Sequence, residues 1–292
     1  MSDGTLEGME LGPVHLKVID LERVGDFYTD QLGLVTLAER GREHWLGVAD
    51  RPLLVLHGDP NLSPKPPRTT GLYHFALLHP DRGALGQSLR RLLEAKVPLQ
   101  GGADHLVSEA IYLADPEGNG IELYRDRPRD AWPYSNGELQ MATDPLDWDG
   151  VMAAASTEST KTMSEGTIMG HVHLHVARLQ EGERFYGEVL GFNHVLRYGR
   201  AASFYSVGGY HHHIGFNTWA GEGAPAPPEG SAGLDHFTML LPSAQALGSL
   251  ADRLKEKGID HRTEPGALLA ADPSGNRVRI ALAQNNRAPG RE

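Results

Sequence analysis

The chain repeats itself, and the repeat limits it to folds that can be assembled from copies of one small unit. His15 in Val-His-Leu-Lys-Val is matched by His173 in Val-His-Leu-His-Val, Phe27-Tyr28 by Phe185-Tyr186, His74 by His236, and Asp115-Pro116 by Asp272-Pro273, at nearly constant spacing. Each half divides again. A strand over 14–18 leads to Asp20, a helix N-cap, and then to Leu21, Val24, Phe27 and Tyr28, which share one helical stripe that Gly33 ends. Strands follow at 35–38, 44–48 and 53–57, giving the order β-α-β-β-β. The plan recurs from His74, with Leu85, Leu89, Leu92 and Leu93 at helical spacing.

The fold class that follows is α+β, with two homologous domains at 9–127 and 167–284, each made of two paired β-α-β-β-β modules. A connector over 128–166 separates them, with Trp132-Pro133-Tyr134 near its start and a Ser/Thr-rich run in its second half. The preferred arrangement is sequential, module one on two and three on four, because neighbours along the chain usually pack together. The alternative is cross-pairing, with module three on module two.

Composition narrows the chemistry. At 292 residues and 40% hydrophobic content, two cores of ordinary size are available, and 35 Gly with 19 Pro indicate short elements joined by turns. A formal charge of -11 without a long basic run argues against nucleic acid. No apolar run reaches membrane-spanning length, and the N-terminus lacks a signal peptide's basic and apolar regions, so the expectation is a cytoplasmic protein without a membrane partner. With no cysteine, disulfides and thiolate ligands are excluded, and any metal must be held by His and carboxylate.

Such ligands are present. Asp115-Pro116-Glu117-Gly118-Asn119-Gly120 reads as a turn between two short strands, and alternation in the second puts Glu122 and Tyr124 on one face, Ile121 and Leu123 on the other. A carboxylate in an apolar strand needs a partner unless it faces water. His15 and His74 each open an apolar strand, so that His15, His74 and Glu122 make a two-imidazole, one-carboxylate set of the kind that suits Fe(II) in non-haem oxygenases.

The stretch from His105 to Glu122 resembles the signature of the extradiol ring-cleaving dioxygenases within the vicinal oxygen chelate superfamily. The resemblance rests on His105, Ile111, Tyr112, Asp115, Pro116, Gly118 and Glu122 in register, with Ala103 the one departure. It implies paired modules forming a curved mixed sheet around a metal cleft, with Fe(II), or Mn(II) on ligand grounds, bound by His15, His74 and Glu122. The implied substrates are a small aromatic diol and O2. His105 would donate a hydrogen bond to substrate oxygen, and Tyr112 would supply a second donor.

The halves differ at the ligand positions. Arg279 stands where the second half would need Glu122, and a guanidinium has no lone pair for a metal. The second half keeps His171, His173 and His175 on one strand face and His211-His212-His213 before another strand. Two arrangements use them: a three-His site from His173, His236 and His212 or His213, or a cross-paired site in which His173 replaces His15 and His212 or His213 acts as acid-base. The same fold also serves glyoxalase-type isomerases, which need a second carboxylate where Leu53-Leu54-Val55 stands, and metal-free binding proteins of the bleomycin-resistance type. Exposed sheet edges leave a homo-oligomer open.

Overall fold

In the computed structural model the described residues are 4–290 without 159, so that Met1–Asp3 at the N-terminus and Ser159 in the Ser/Thr-rich run lie outside them. Module one comprises β1 (Glu10–Val18), α1 (Leu21–Asp26), β2 (Val35–Arg40), β3 (Glu43–Val48) and β4 (Arg51–Gly58). Module two comprises β5 (Gly71–His79), α2 (Arg82–Glu94), β6 (Leu99–Asp104), β7 (Ser108–Ala114) and β8 (Gly120–Asp126). The connector adds β9 (Tyr134–Ser135), β10 (Glu138–Leu139), β11 (Asp144–Pro145) and α3 (Trp148–Ala154). Module three runs β12 (Ile168–His175), α4 (Leu179–Glu183), β13 (Asn193–Tyr198), β14 (Ala202–Ser206), β15 (Ile214–Asn217). Module four runs β16 (Gly233–Leu241), α5 (Ala244–Glu256), β17 (His261–Glu264), β18 (Ala267–Ala271), β19 (Arg277–Leu282).

The local chemistry expected of these segments is present. Asp20 and Asp81 accept backbone N–H groups at the starts of α1 and α2. After α1 the chain widens into a π-turn over Phe27–Gln31, which brings Tyr28 inward, and Gly33 takes the left-handed φ of 87° that ends it.

The modules do not pair in sequence order. One sheet runs β17-β18-β19-β16-β1-β4-β3-β2, and the other β11-β6-β7-β8-β5-β12-β15-β14-β13. Module one therefore pairs with module four and module two with module three, which corrects the sequential arrangement; neither 9–127 nor 167–284 forms its own sheet. Within every module the first strand lies parallel to the last, and the modules meet through antiparallel first strands, β1 on β16 and β5 on β12. The physical reason is that all four first strands offer an equivalent open edge. Strand periodicity fixes the face a residue takes but not the edge that finds a partner.

Successive modules are joined across the sheets instead. Tyr28 of module one donates its hydroxyl to Asp115 of module two, and Tyr186 of module three does the same to Asp272 of module four, each over 3.0 Å. A single apolar core, including Phe27, Phe75, Ile121, Leu123, Phe185, Phe216 and Phe237, runs between the two sheets. No helix among the described residues is long and apolar enough to cross a membrane.

Candidate metal centre

The centre is built on β5. Ala76 lies opposite Glu122 of β8 on one side and His171 of β12 on the other, so a small side chain sits between two long ones. Those two reach over it, and His171 Nε2 comes within 3.1 Å of Glu122 Oε2. His74, one pleat along β5, brings its Nε2 to 3.0 Å from the same oxygen and 3.3 Å from His171 Nε2. Among the described residues, these are the one set of three His or carboxylate groups whose ligand atoms all lie within 4.8 Å of one another. Ligands at right angles around an ion ~2.1 Å away stand ~3.0 Å apart, so the triangle suits one face of an octahedron. All three side chains are buried.

Electrostatics fit a cation. Burial pushes the Glu122 carboxyl up, but the charge and hydrogen bonds of His171 and His74 outweigh it and hold the group well below the usual carboxylate range. Burial also lowers His171, to about 4 against a partial opposing pull from Glu122, which keeps its imidazole neutral with a lone pair to give. Two neutral imidazoles and one carboxylate would leave a bound divalent ion with net positive charge, and the residues present therefore fit a metal.

His15 is not part of this set. It lies in β1 of the other sheet, where its ring stacks on His236 at 3.9 Å and 19°, and on His57 at 5.2 Å and 20°. His15 Nδ1 lies 2.9 Å from His57 Nε2, but among the described residues no third His or carboxylate atom completes a ligand set there. In that sheet Thr238 holds the place of Ala76, Arg279 opposes it where Glu122 would be, and the irregular Gly12-Pro13 segment replaces His171. The proposed three-His combination with His236 also falls apart, because His173 and His212 belong to the other cleft.

Of the triangle, His74 and Glu122 line a cavity of about 220 Å³, with His171 buried behind them; its wall also includes Tyr73, His105, Tyr112, His173, Phe204, His212 and Trp219 together with Met141, Ala142, Thr143, Leu196 and Tyr198. Larger surface grooves exist elsewhere, but none contains the ligand set. His173 faces the cavity without completing the triangle. Its Nε2 accepts from Asn217 Nδ2 at 2.9 Å, and Asn217 Oδ1 is 2.7 Å from His175 Nδ1. His212 occupies the wall beside His171, with ring centroids 4.1 Å apart, and its Nε2 carries no hydrogen bond among the described residues. Burial lowers both His173 and His212 well below the usual imidazole value. His213, the alternative acid-base, instead accepts the Val207 N–H at Nδ1 and does not line the cavity.

His105 and Tyr112 both line the cavity but are engaged with each other. Leu106, held at a φ of 68° with its N–H on Asp104, turns the chain between β6 and β7. His105 Nδ1 then meets the Ala142 carbonyl at 2.7 Å, and Tyr112 O–H is 2.7 Å from His105 Nε2. A neutral His105 donates to the carbonyl and accepts from Tyr112, so the Tyr112 hydroxyl reaches a substrate only when that mutual bond is exchanged, and His105 then offers Nε2 as an acceptor.

Sequence reasoning missed His171, Ala76 and the His211–Asp126 pair. Pleating puts His171, His173 and His175 on one face, and only the register of β12 against Ala76 singles out the first of them. The small Ala76 in an otherwise bulky strand was the available signal.

The residues 10–123 and 168–280 each match the family model described as Glyoxalase/Bleomycin resistance protein/Dioxygenase superfamily. Over 272 residues the chain is 43% identical to Catechol-2,3-dioxygenase of Bacillus subtilis (strain 168), covering 91% of this chain and 95% of that protein. It is also 30% identical over 141 residues to Biphenyl-2,3-diol 1,2-dioxygenase 3 of Rhodococcus globerulus, covering 45% of this chain and 72% of that one. Glyoxalase I from Zea mays shares the fold, with a TM-score of 0.58 at 16% identity over 96% of this chain and 95% of that one.

Proposed function

The chain belongs to the Glyoxalase/Bleomycin resistance protein/Dioxygenase superfamily, and from that premise we propose that it is an extradiol dioxygenase that uses O2 to cleave a catechol-type ring beside its two hydroxyls. The observation that carries the reading is the buried His74–His171–Glu122 triangle at the floor of an aromatic cavity. Fe(II) is the proposed ion, since two imidazoles and a carboxylate on one face suit it and leave positions for diol and O2; Mn(II) satisfies the same ligands. Such an ion would supply the positive charge that favours an ionised diol and the site at which O2 meets the ring.

The chain's own groups do the rest. Tyr73, Phe204, Trp219 and Leu196 offer aromatic and apolar faces to a flat ring. His212, neutral and unbonded at Nε2, is placed to take a diol proton. Tyr112 turns its hydroxyl from His105 to substrate oxygen, where charge builds as the ring opens, while His105, its one proton held by the Ala142 carbonyl, presents Nε2 as an acceptor. Among the described residues no Lys or Arg lines the cavity, which favours a diol without an acidic substituent.

A glyoxalase-type isomerase would need a second carboxylate as base. Among the described residues Glu122 is the only carboxylate lining the cavity, and both imidazoles of the triangle engage it. The test is to load oxygen-free protein with ferrous iron, add catechol, and follow O2 uptake with the appearance of the coloured ring-opened semialdehyde. Conversion of a thiol hemiacetal without O2, and no uptake with catechol, would overturn the proposal.

A further inference from the structure

On the far side of His212 from Glu122's triangle, a buried chain of groups leads to the surface. His212 Nδ1 lies 2.8 Å from His211 Nδ1, and His211 Nε2 lies 2.8 Å from Asp126 Oδ1. His211 is fully buried, held by Tyr210 and Trp132, whereas the Asp126 side chain is 23% exposed at the end of β8.

The proton positions follow from what each group can offer. An ionised carboxylate only accepts, so His211 donates from Nε2 to Asp126. With His211 in its neutral form the single N–H is the one on Nε2, which makes Nδ1 an acceptor. The short contact between the two Nδ1 atoms then requires the proton to sit on His212 Nδ1. His212 is left with its lone pair on Nε2, the atom without a protein partner in the cavity wall.

We propose that Asp126 and His211 are positioning residues that fix the tautomer of His212, so that Nε2 presents a lone pair to the substrate's hydroxyl. The inference rests on the ring-cleaving reading above and deepens it, because it assigns the first of the three consecutive histidines a role that neither the ligand set nor the cavity wall uses. Tyr210 contributes to the same end: its hydroxyl, 2.8 Å from that of Tyr124, neighbours Asp126 and helps to keep the carboxylate in place.

Asp126→Asn tests this at constant shape. An amide turned with its N–H toward His211 Nε2 reverses the chain: His211 donates from Nδ1, and His212 carries its proton on Nε2, where it caps the base. The expected result is unchanged iron content and catechol KM with kcat lowered roughly 100-fold, within the ~10²–10⁴ range of general-base contributions. His211→Leu, which leaves His212 Nδ1 without an acceptor, should lower kcat in the same way, and Asp126→Glu, which restores an acceptor, should recover most of it. A second readout does not need turnover. Under anaerobic conditions 4-nitrocatechol, whose colour reports its ionisation, should bind more fully ionised to the parent protein than to Asp126→Asn. Parent-like kcat in both Asp126→Asn and His211→Leu, or identical nitrocatechol colour in parent and Asp126→Asn, overturns the relay. A parent protein that fails to cleave catechol overturns the functional reading instead, and the nitrocatechol comparison still decides the relay.

Discussion

Tyr28 donates its hydroxyl to Asp115 over 3.0 Å with both side chains buried, and this bond ties together two modules whose strands lie in different sheets. Asp115 also accepts from the backbone of Glu117 and Asn119 and from the Asn119 amide. Tyr28→Phe should therefore cost ~1–2 kcal/mol, the scale of one lost buried hydrogen bond, and Asp115→Ala more, because it orphans several donors at once. Urea denaturation followed by fluorescence measures both; a Tyr28→Phe midpoint equal to the parent's would show that the bond contributes nothing net.

The two sheets make opposite predictions for two histidines that look alike in sequence. His171→Ala should remove most bound iron and all measurable ring cleavage, while His15→Ala should keep both, since His15 packs against His57 and His236 in the other sheet. Metal analysis of protein purified without oxygen, with O2 uptake on the same samples, compares them. Loss of iron on replacing His15 but not His171 would contradict the ligand set.

Tyr112→Phe takes away the hydroxyl that bonds His105 and keeps the ring that lines the cavity. Iron should stay, and kcat should fall by ~10–100-fold as a donor to developing charge is lost. Iron loss in this variant would assign Tyr112 to support of the metal ligands.

His79 predicts how the fold responds to acid. Burial, with Arg91 adding to it, pushes this imidazole down to about 3, and its Nδ1 lies 3.0 Å from Thr167 Oγ1. In the unfolded chain the same group titrates near ~6.5. The folded state binds the proton less readily, so the neutral side chain's contribution is fully present above ~6.5 and is lost as pH falls toward about 3, at up to ~1.4 kcal/mol per unit. His79→Gln should flatten the fall in stability between pH ~6.5 and ~4.5 by about this slope. Parallel curves for parent and variant would show that His79 is not the group responsible.

The modules, their caps and the Asp115–Gly120 turn were legible because each depends on residues close in sequence. Glu122 and His74 were legible for the same reason: a charged or polar residue in an apolar strand advertises its face. His171 was not, since three alternating histidines satisfy the same pleat and the irregular register between Met169 and His171 decides which one lies across from Ala76. The pairing of sheets was hidden too, because it depends on which of four similar edges meet. Arg279 was visible as a departure, yet it read as a defect of a second-half site when it is a feature of the outer sheet.

Because the middle two modules form one sheet and the outer two the other, the order of synthesis separates catalysis from scaffolding. Every strand carrying His74, Glu122 or His171, together with His212, has been synthesised once Asn217 is made, before any strand of the last module. The companion sheet must wait for β19, since it stitches the first strand of the polypeptide to the final module, and that long-range closure is the slow contact expected to limit maturation.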